Sequence, residues 1–118
     1  MAGPRPDLVH KAISSGTLGH IQWKDSAVRR VLDDPQMQGF TPMGIRQLLR
    51  EFVLAGKSLD TREEKRAEKL EECPDDPYWY RAIIPVADFP KGLFVELKLI
   101  DDDENEPWVE IVSAHQQL

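Results

Sequence analysis

From Tyr78 onward apolar residues alternate with polar ones, and the row between the aliphatic positions carries the side chains that can do chemistry. That row holds Trp79, Arg81 and Ile83, then Phe94, Glu96 and Lys98, then Trp108, Glu110 and Val112. Aromatic rings interleaved with convergent charges are what a surface that stacks bases and holds phosphates requires. The same row also reads as a solvated sheet face with Lys98–Glu110 pairing across strands, each such pair contributing roughly a few tenths of a kcal/mol. Two tryptophans and a phenylalanine on a merely solvated face leave much apolar area exposed. A ligand, a partner or the charged segment 61–77 is therefore expected to meet them.

Other chemistries lack their spacings. His10, His20 and His115 with Cys73 are the only imidazole and thiol ligands, and no two share a metal-binding interval, so no metal or other cofactor is expected. The acidic run from Asp101 to Glu106 lacks the spacing and central glycine of a calcium loop and reads as a solvated hairpin turn. Gly16-Thr17-Leu18-Gly19-His20 follows a helical pattern and has no Gly-Lys-Ser/Thr end, so it is not a phosphate loop. Ser113 and His115 come without a nucleophile elbow. Cys73 sits among Glu71, Glu72, Asp75 and Asp76, neighbours that disfavour a thiolate.

The chain has 118 residues, 15 basic and 21 acidic, a net charge of −6, and 41% hydrophobic residues. That composition is globular rather than disordered and suits one small domain. No apolar run approaches the ~20 residues of a membrane helix, and no secretory leader is visible. A single cysteine fits a reducing, cytoplasmic setting. Charge is divided unevenly: residues 1–60 balance at +2 and residues 61–118 at −8. A nucleic-acid binder needs a basic patch, because neutralised phosphates release counterions. Only Arg29, Arg30, Arg46 and Arg50 in the helical half can supply one, and solvated helix faces are the plainer account of them. DNA binding is not expected.

The elements that must position these residues are legible in outline. Residues 7–14 carry Leu8, Val9, Ala12 and Ile13 at helical spacing, with Asp7 as a cap and Gly16 as the stop, after an extended lead-in at residues 4–6. A second helix is predicted over 24–33, with Ala27, Val28, Val31 and Leu32 as its stripe. Thr41 followed by Pro42 is the strongest start signal in the chain, and Ile45, Leu48, Leu49, Phe52 and Val53 then run to Gly56. Residues 61–73 have a capping-box start but almost no apolar face, so they are either a solvent-facing helix or a charged insertion. Strands are predicted over 79–86, 93–100 and 108–114, joined by connectors at 87–92 and 101–107. The expected architecture is α+β: helices over about 7–56, a charged insertion at 57–77, and an antiparallel meander at 78–115 giving three or four strands, with the helices on one face.

Burial of the row Leu93, Val95, Leu97 and Leu99 sets the expected register. Leu99 should face Val109, Leu97 should face Ile111 and Val95 should face Ser113; on the other side Ile84 should face Val95 and Ala82 should face Leu97. Arg81 then falls beside Lys98, Lys98 beside Glu110, and His115 on the core-face row.

The segments "GFTPMGIRQLLREFVLAGKSL" and "PWVEIVSAH" resemble the small RelE-type toxins, in particular the MqsR-like branch of the barnase–EndoU–colicin–RelE superfamily. The resemblance lies in a capped helix at Gly39-Phe40-Thr41 and in the strand patterns Leu93-Phe94-Val95 and Val109-Glu110-Ile111-Val112-Ser113, and spans about residues 9–115. It implies a RelE/barnase-like fold and metal-independent endoribonuclease activity. No catalytic residue of the family maps onto this sequence; for such chemistry the sequence itself offers Glu96 as base, Arg81 and Lys98 as stabilisers of the phosphorane and His115 as acid, with Trp79, Phe94, Trp108, Glu110, Arg46 and Arg50 as candidates to hold RNA or a partner. The implied partner is an antitoxin-like or immunity protein, or a second copy of the chain. The other reading is a non-enzymatic module whose aromatic sheet face binds protein.

Overall fold

The computed structural model describes residues 3–16, 18–63 and 77–118. Three helices, α1 (Pro6–Ser14), α2 (Asp25–Asp33) and α3 (Pro42–Leu54), pack on one face of a five-stranded sheet. Its strands are β1 (Ile21–Trp23), β2 (Asp60–Glu63), β3 (Tyr78–Val86), β4 (Phe89–Asp101) and β5 (Trp108–Gln116), in the spatial order β1-β5-β4-β3-β2.

Each helix follows from local chemistry. In α1 a proline opens the first turn, and Leu8, Val9, Ala12 and Ile13 are buried. Asp7 lies inside that turn rather than capping it, ion-paired to Arg5 at 2.9 Å. The lead-in is also anchored: the Arg5 backbone N–H donates to the buried Tyr80 hydroxyl at 2.9 Å. Beyond α1 the chain folds back, and Gly19 sits at φ +76° where a Cβ would meet the Ile13 carbonyl oxygen at 2.6 Å. Only glycine fits there. In α2 the buried side chains are Ala27 and Val31, while Leu32, expected on the stripe, is exposed. In α3 the Thr41 hydroxyl accepts from the Gly44 N–H at 2.9 Å, and Ile45, Leu49 and Val53 face the core.

The sheet corrects the expectation of three or four antiparallel strands. It has five, and β1 runs parallel to β5, pairing Ile21 with Val109 and Trp23 with Ile111. Three residues are too few for alternation to declare a strand, and a parallel partner so far away in sequence leaves no local signal. Its other new member, β2, takes up Asp60–Glu63, all exposed, and pairs with β3. Thr61–Glu63, the proposed start of a charged helix, are therefore strand; the remainder of that stretch, 64–73, lies outside the described residues.

Register is corrected twice. Between β3 and β4 the observed pairs are Ala82–Val95, Tyr80–Leu97 and Ile84–Leu93, two residues from expectation. The hairpin is tighter than the predicted connector, with Val86 already facing Phe89. A two-residue shift leaves every side chain on its face and changes only its neighbours. Between β4 and β5 the pairs Leu99–Val109 and Leu97–Ile111 form as expected, but Glu96 then faces Ser113 and Val95 faces Ala114. Val112 is the extra residue of a bulge, and beyond it the parity of β5 is reversed.

The core lies between the helices and the row Tyr80, Ala82, Ile84, Leu93, Val95, Leu97, Val109, Ile111 and Ala114. Each fully buried leucine or isoleucine there contributes about 1.5–3 kcal/mol of transfer free energy.

Candidate functional site

Opposite the helices, the sheet presents the row singled out from the sequence, in a changed arrangement. Arg81 faces Glu96 rather than Lys98, and its Nε donates to Glu96 Oε2 at 2.8 Å. The same guanidinium lies over the Phe94 ring, 5.4 Å from its centroid. Phe94 in turn stacks on His115, with ring centroids 4.6 Å apart and planes inclined by 23°. His115 was expected in the core; the Val112 bulge turns it outward, where it is exposed and faces Phe94 across the strands. Its Nδ1 is 2.9 Å from the Gln116 carbonyl oxygen, which can only accept, so in this contact Nδ1 carries the proton. Ser113, carried to the same face by the same bulge, stands opposite Glu96.

A carboxylate, a guanidinium, an imidazole and a hydroxyl thus meet on three adjacent strands. Arg81 and Glu96 are partly buried, with 31% and 16% of their side chains accessible. That exposure permits contact with a ligand while the pair holds each partner in one orientation. Held by ring and carboxylate together, the guanidinium plane is fixed more closely than in an isolated surface ion pair.

Lys98 does not join this group. It does face Glu110 in register, but it is only 5% exposed, its ammonium donates to the Tyr78 carbonyl at 3.0 Å and lies 4.8 Å from the centroid of Trp79. A lysine so enclosed acts as a structural link between β3 and β4. Glu110 instead accepts a hydrogen bond from the Gln22 side chain at 3.0 Å, tying β1 to β5. Trp108 stacks on His20 at 4.6 Å with an interplanar angle of 9°, and His20 Nδ1 reaches the Pro107 carbonyl at 3.2 Å. Trp108 nevertheless stays 36% exposed.

Arg46 and Arg50 belong to α3, which packs on the core face, so they lie across the sheet from Glu96. Arg50 ties α3 to α1, because its guanidinium donates to the carbonyls of Ile13, at 3.0 Å, and Gly16. Those are acceptors at the C-terminal end of α1 and just beyond, where a cation offsets the helix dipole. Ser113 was not among the expected site residues, and neither were Arg29 and Arg30, which line a cleft beside His115. The adjacent arginines were visible as charge, but nothing local connects α2 to the end of β5.

Among the described residues no group of three or more His, Cys, Asp or Glu side chains could hold a metal ion, and no helix is long and apolar enough to cross a membrane. No family model, curated protein or solved structure matches this chain.

Proposed function

We propose that this chain is a RelE/MqsR-like toxin-type protein that cleaves RNA in the cytoplasm without a metal, using Glu96, Arg81 and His115. The observation that carries the reading is the outward turn of His115 at the Val112 bulge, which adds an imidazole to the Arg81–Glu96 pair on one sheet face. In the reaction the Glu96 carboxylate accepts the proton of a ribose 2′-hydroxyl, whose oxygen attacks the adjacent phosphorus. Arg81 stabilises the charge that gathers on the non-bridging oxygens, and protonated His115 donates its proton to the departing 5′-oxygen. The products are a 2′,3′-cyclic phosphate and a free 5′-hydroxyl. Because the base must be ionised and the acid protonated, the rate should fall on both sides of a maximum. Such an activity calls for a restraining partner, an antitoxin-like or immunity protein, or for burial of the face in a homodimer.

Purified protein incubated with a mixed RNA pool in EDTA tests the reading. Cleavage by the wild type, lost in Glu96→Gln and His115→Ala, is expected; equal cleavage by both variants overturns the assignment. A second reading has its own support, since Ile83, Ile100 and Trp108 are large apolar side chains exposed at 37%, 45% and 36% on the strands. If the wild type leaves RNA intact, an apolar protein-binding face is the better account.

A further inference from the structure

β5 has a strand neighbour on its β1 side only as far as Ile111. Past that point α2 packs alongside it, and between them opens a cleft of about 540 Å³, a volume in the range that holds small-molecule ligands. Arg29, Arg30, Asp33 and Asp34 form one wall, and Ser113 and His115 form the other. Among the described residues neither the Arg29 nor the Arg30 side chain has a hydrogen bond, an ion pair or a ring contact, and both residues are exposed. The Asp34 carboxylate is engaged with the Gln36 N–H at 2.9 Å, closing the turn after α2. Two guanidinium groups without partners among the described residues thus face a wall that ends in the imidazole of the proposed site.

We infer that this cleft binds one nucleotide unit of a single-stranded RNA, with Arg29 and Arg30 on its phosphate and Asp33 accepting from a base amino group. The inference rests on the ribonuclease reading for the choice of ligand, and the cleft would hold the nucleotide next to the one being cleaved. Charge of both signs in the lining favours this ligand over a bare anion. A nucleotide offers an anionic phosphate for the arginines and neutral hydrogen-bond donors for Asp33 within one small unit, whereas an inorganic anion would leave Asp33 without a donor. The location also supplies further cations: with Lys98 enclosed, the chain holds the scissile phosphate with Arg81 and the neighbouring phosphate with α2. His115 and Ser113 belong to both sites, because the bulge that turns them outward also sets them at the mouth of the cleft.

The probe is a short 2′-O-methyl RNA, which cannot be cleaved because the attacking hydroxyl is blocked, followed by fluorescence anisotropy at several salt concentrations. Arg29→Ala/Arg30→Ala should weaken binding by about tenfold or more, and the salt dependence should become shallower by about 0.7 for each phosphate no longer neutralised. Lys57→Ala should serve as the control for removal of a charge outside the cleft. Both arginines are at the surface, so an unchanged thermal midpoint in the double variant is expected and removes misfolding as an explanation. Wild-type binding unaffected by the double substitution, or equally reduced by Lys57→Ala, overturns the inference, as does failure of the wild type to bind. The two proposals separate cleanly. Arginine-dependent binding without cleavage of ordinary RNA keeps the cleft and defeats the ribonuclease, while cleavage with unaltered kcat/KM in the double variant keeps the ribonuclease and defeats the cleft.

Discussion

The first part of β5, Trp108 to Ile111, and the second, Ser113 to Gln116, lie along the same strand β4 but send opposite parities into the core. In the first, Val109 and Ile111 point inward, and β1 holds the other edge through Ile21 and Trp23. In the second, Ala114 points inward, Ser113 and His115 point outward, and the other edge faces α2 across a cleft. Where strands hold both sides, Val109 to Ile111, pairing with β4 is regular, and the ladder's other shift, at Ile100, falls just outside it opposite Trp108. The stretch free on one side accommodates an extra residue, and that residue re-aims polar groups toward the outer face. Packing decides one end of β5, and the bulge decides what the other end can do.

The difference predicts a graded series. Ile111→Ala at the regular end should destabilise the fold by about 2–5 kcal/mol, read as a shift of the urea midpoint, because the side chain is fully buried. Deletion of Val112 removes the extra residue, so pairing should run straight from Ile111 to Ser113 and leave Ser113 and His115 on the outer face and Ala114 on the core face. Both residues keep their β4 partners, so RNA cleavage should survive the deletion; its loss in a folded variant would show that the bulge shapes the site beyond the parity it sets. His115→Ala changes only an exposed side chain, so its effect on stability should stay within about 0.5 kcal/mol while cleavage is lost. The smallest effect concerns the turn that leads into the regular end. Backbone N–H groups of Glu106 and Asn105 hold the Asp103 carboxyl below its ordinary range. A carboxyl that takes up its proton less readily when folded adds stability above the unfolded value of about 3.9 and loses it as pH falls through the folded value. Wild-type stability should therefore drop slightly more than that of Asp103→Asn between about pH 5 and pH 2.5 in matched urea titrations.

Legibility followed the range of the interactions. The α3 boundaries could be read from Thr41, Pro42 and Gly56, and the structure runs Pro42–Leu54 with the Thr41 cap formed. The inward row of β4 was equally plain, because alternation is recorded in adjacent residues. The outer row was legible as a set, yet its partnerships were not. Arg81 was assigned to Lys98 and belongs to Glu96, since the length of the β3–β4 hairpin sets neighbours that alternation leaves open. Arg50 carried a charge whose purpose, bonding to the carbonyls of Ile13 and Gly16, emerges only when α1 and α3 lie side by side.

The sequence by itself determined the class of the domain, the three helices, the three long strands and the row of aromatic and charged residues opposite the core. Each of these depends on periodicity, caps and turns, which act within a few residues of the chain. Only the tertiary structure decided that the sheet is mixed, that Lys98 is enclosed, and that His115 turns outward beside Arg81 and the α2 arginines. A bulge is chosen by how two strands and their covering layer fit together, and no stretch of sequence short enough to read contains that balance.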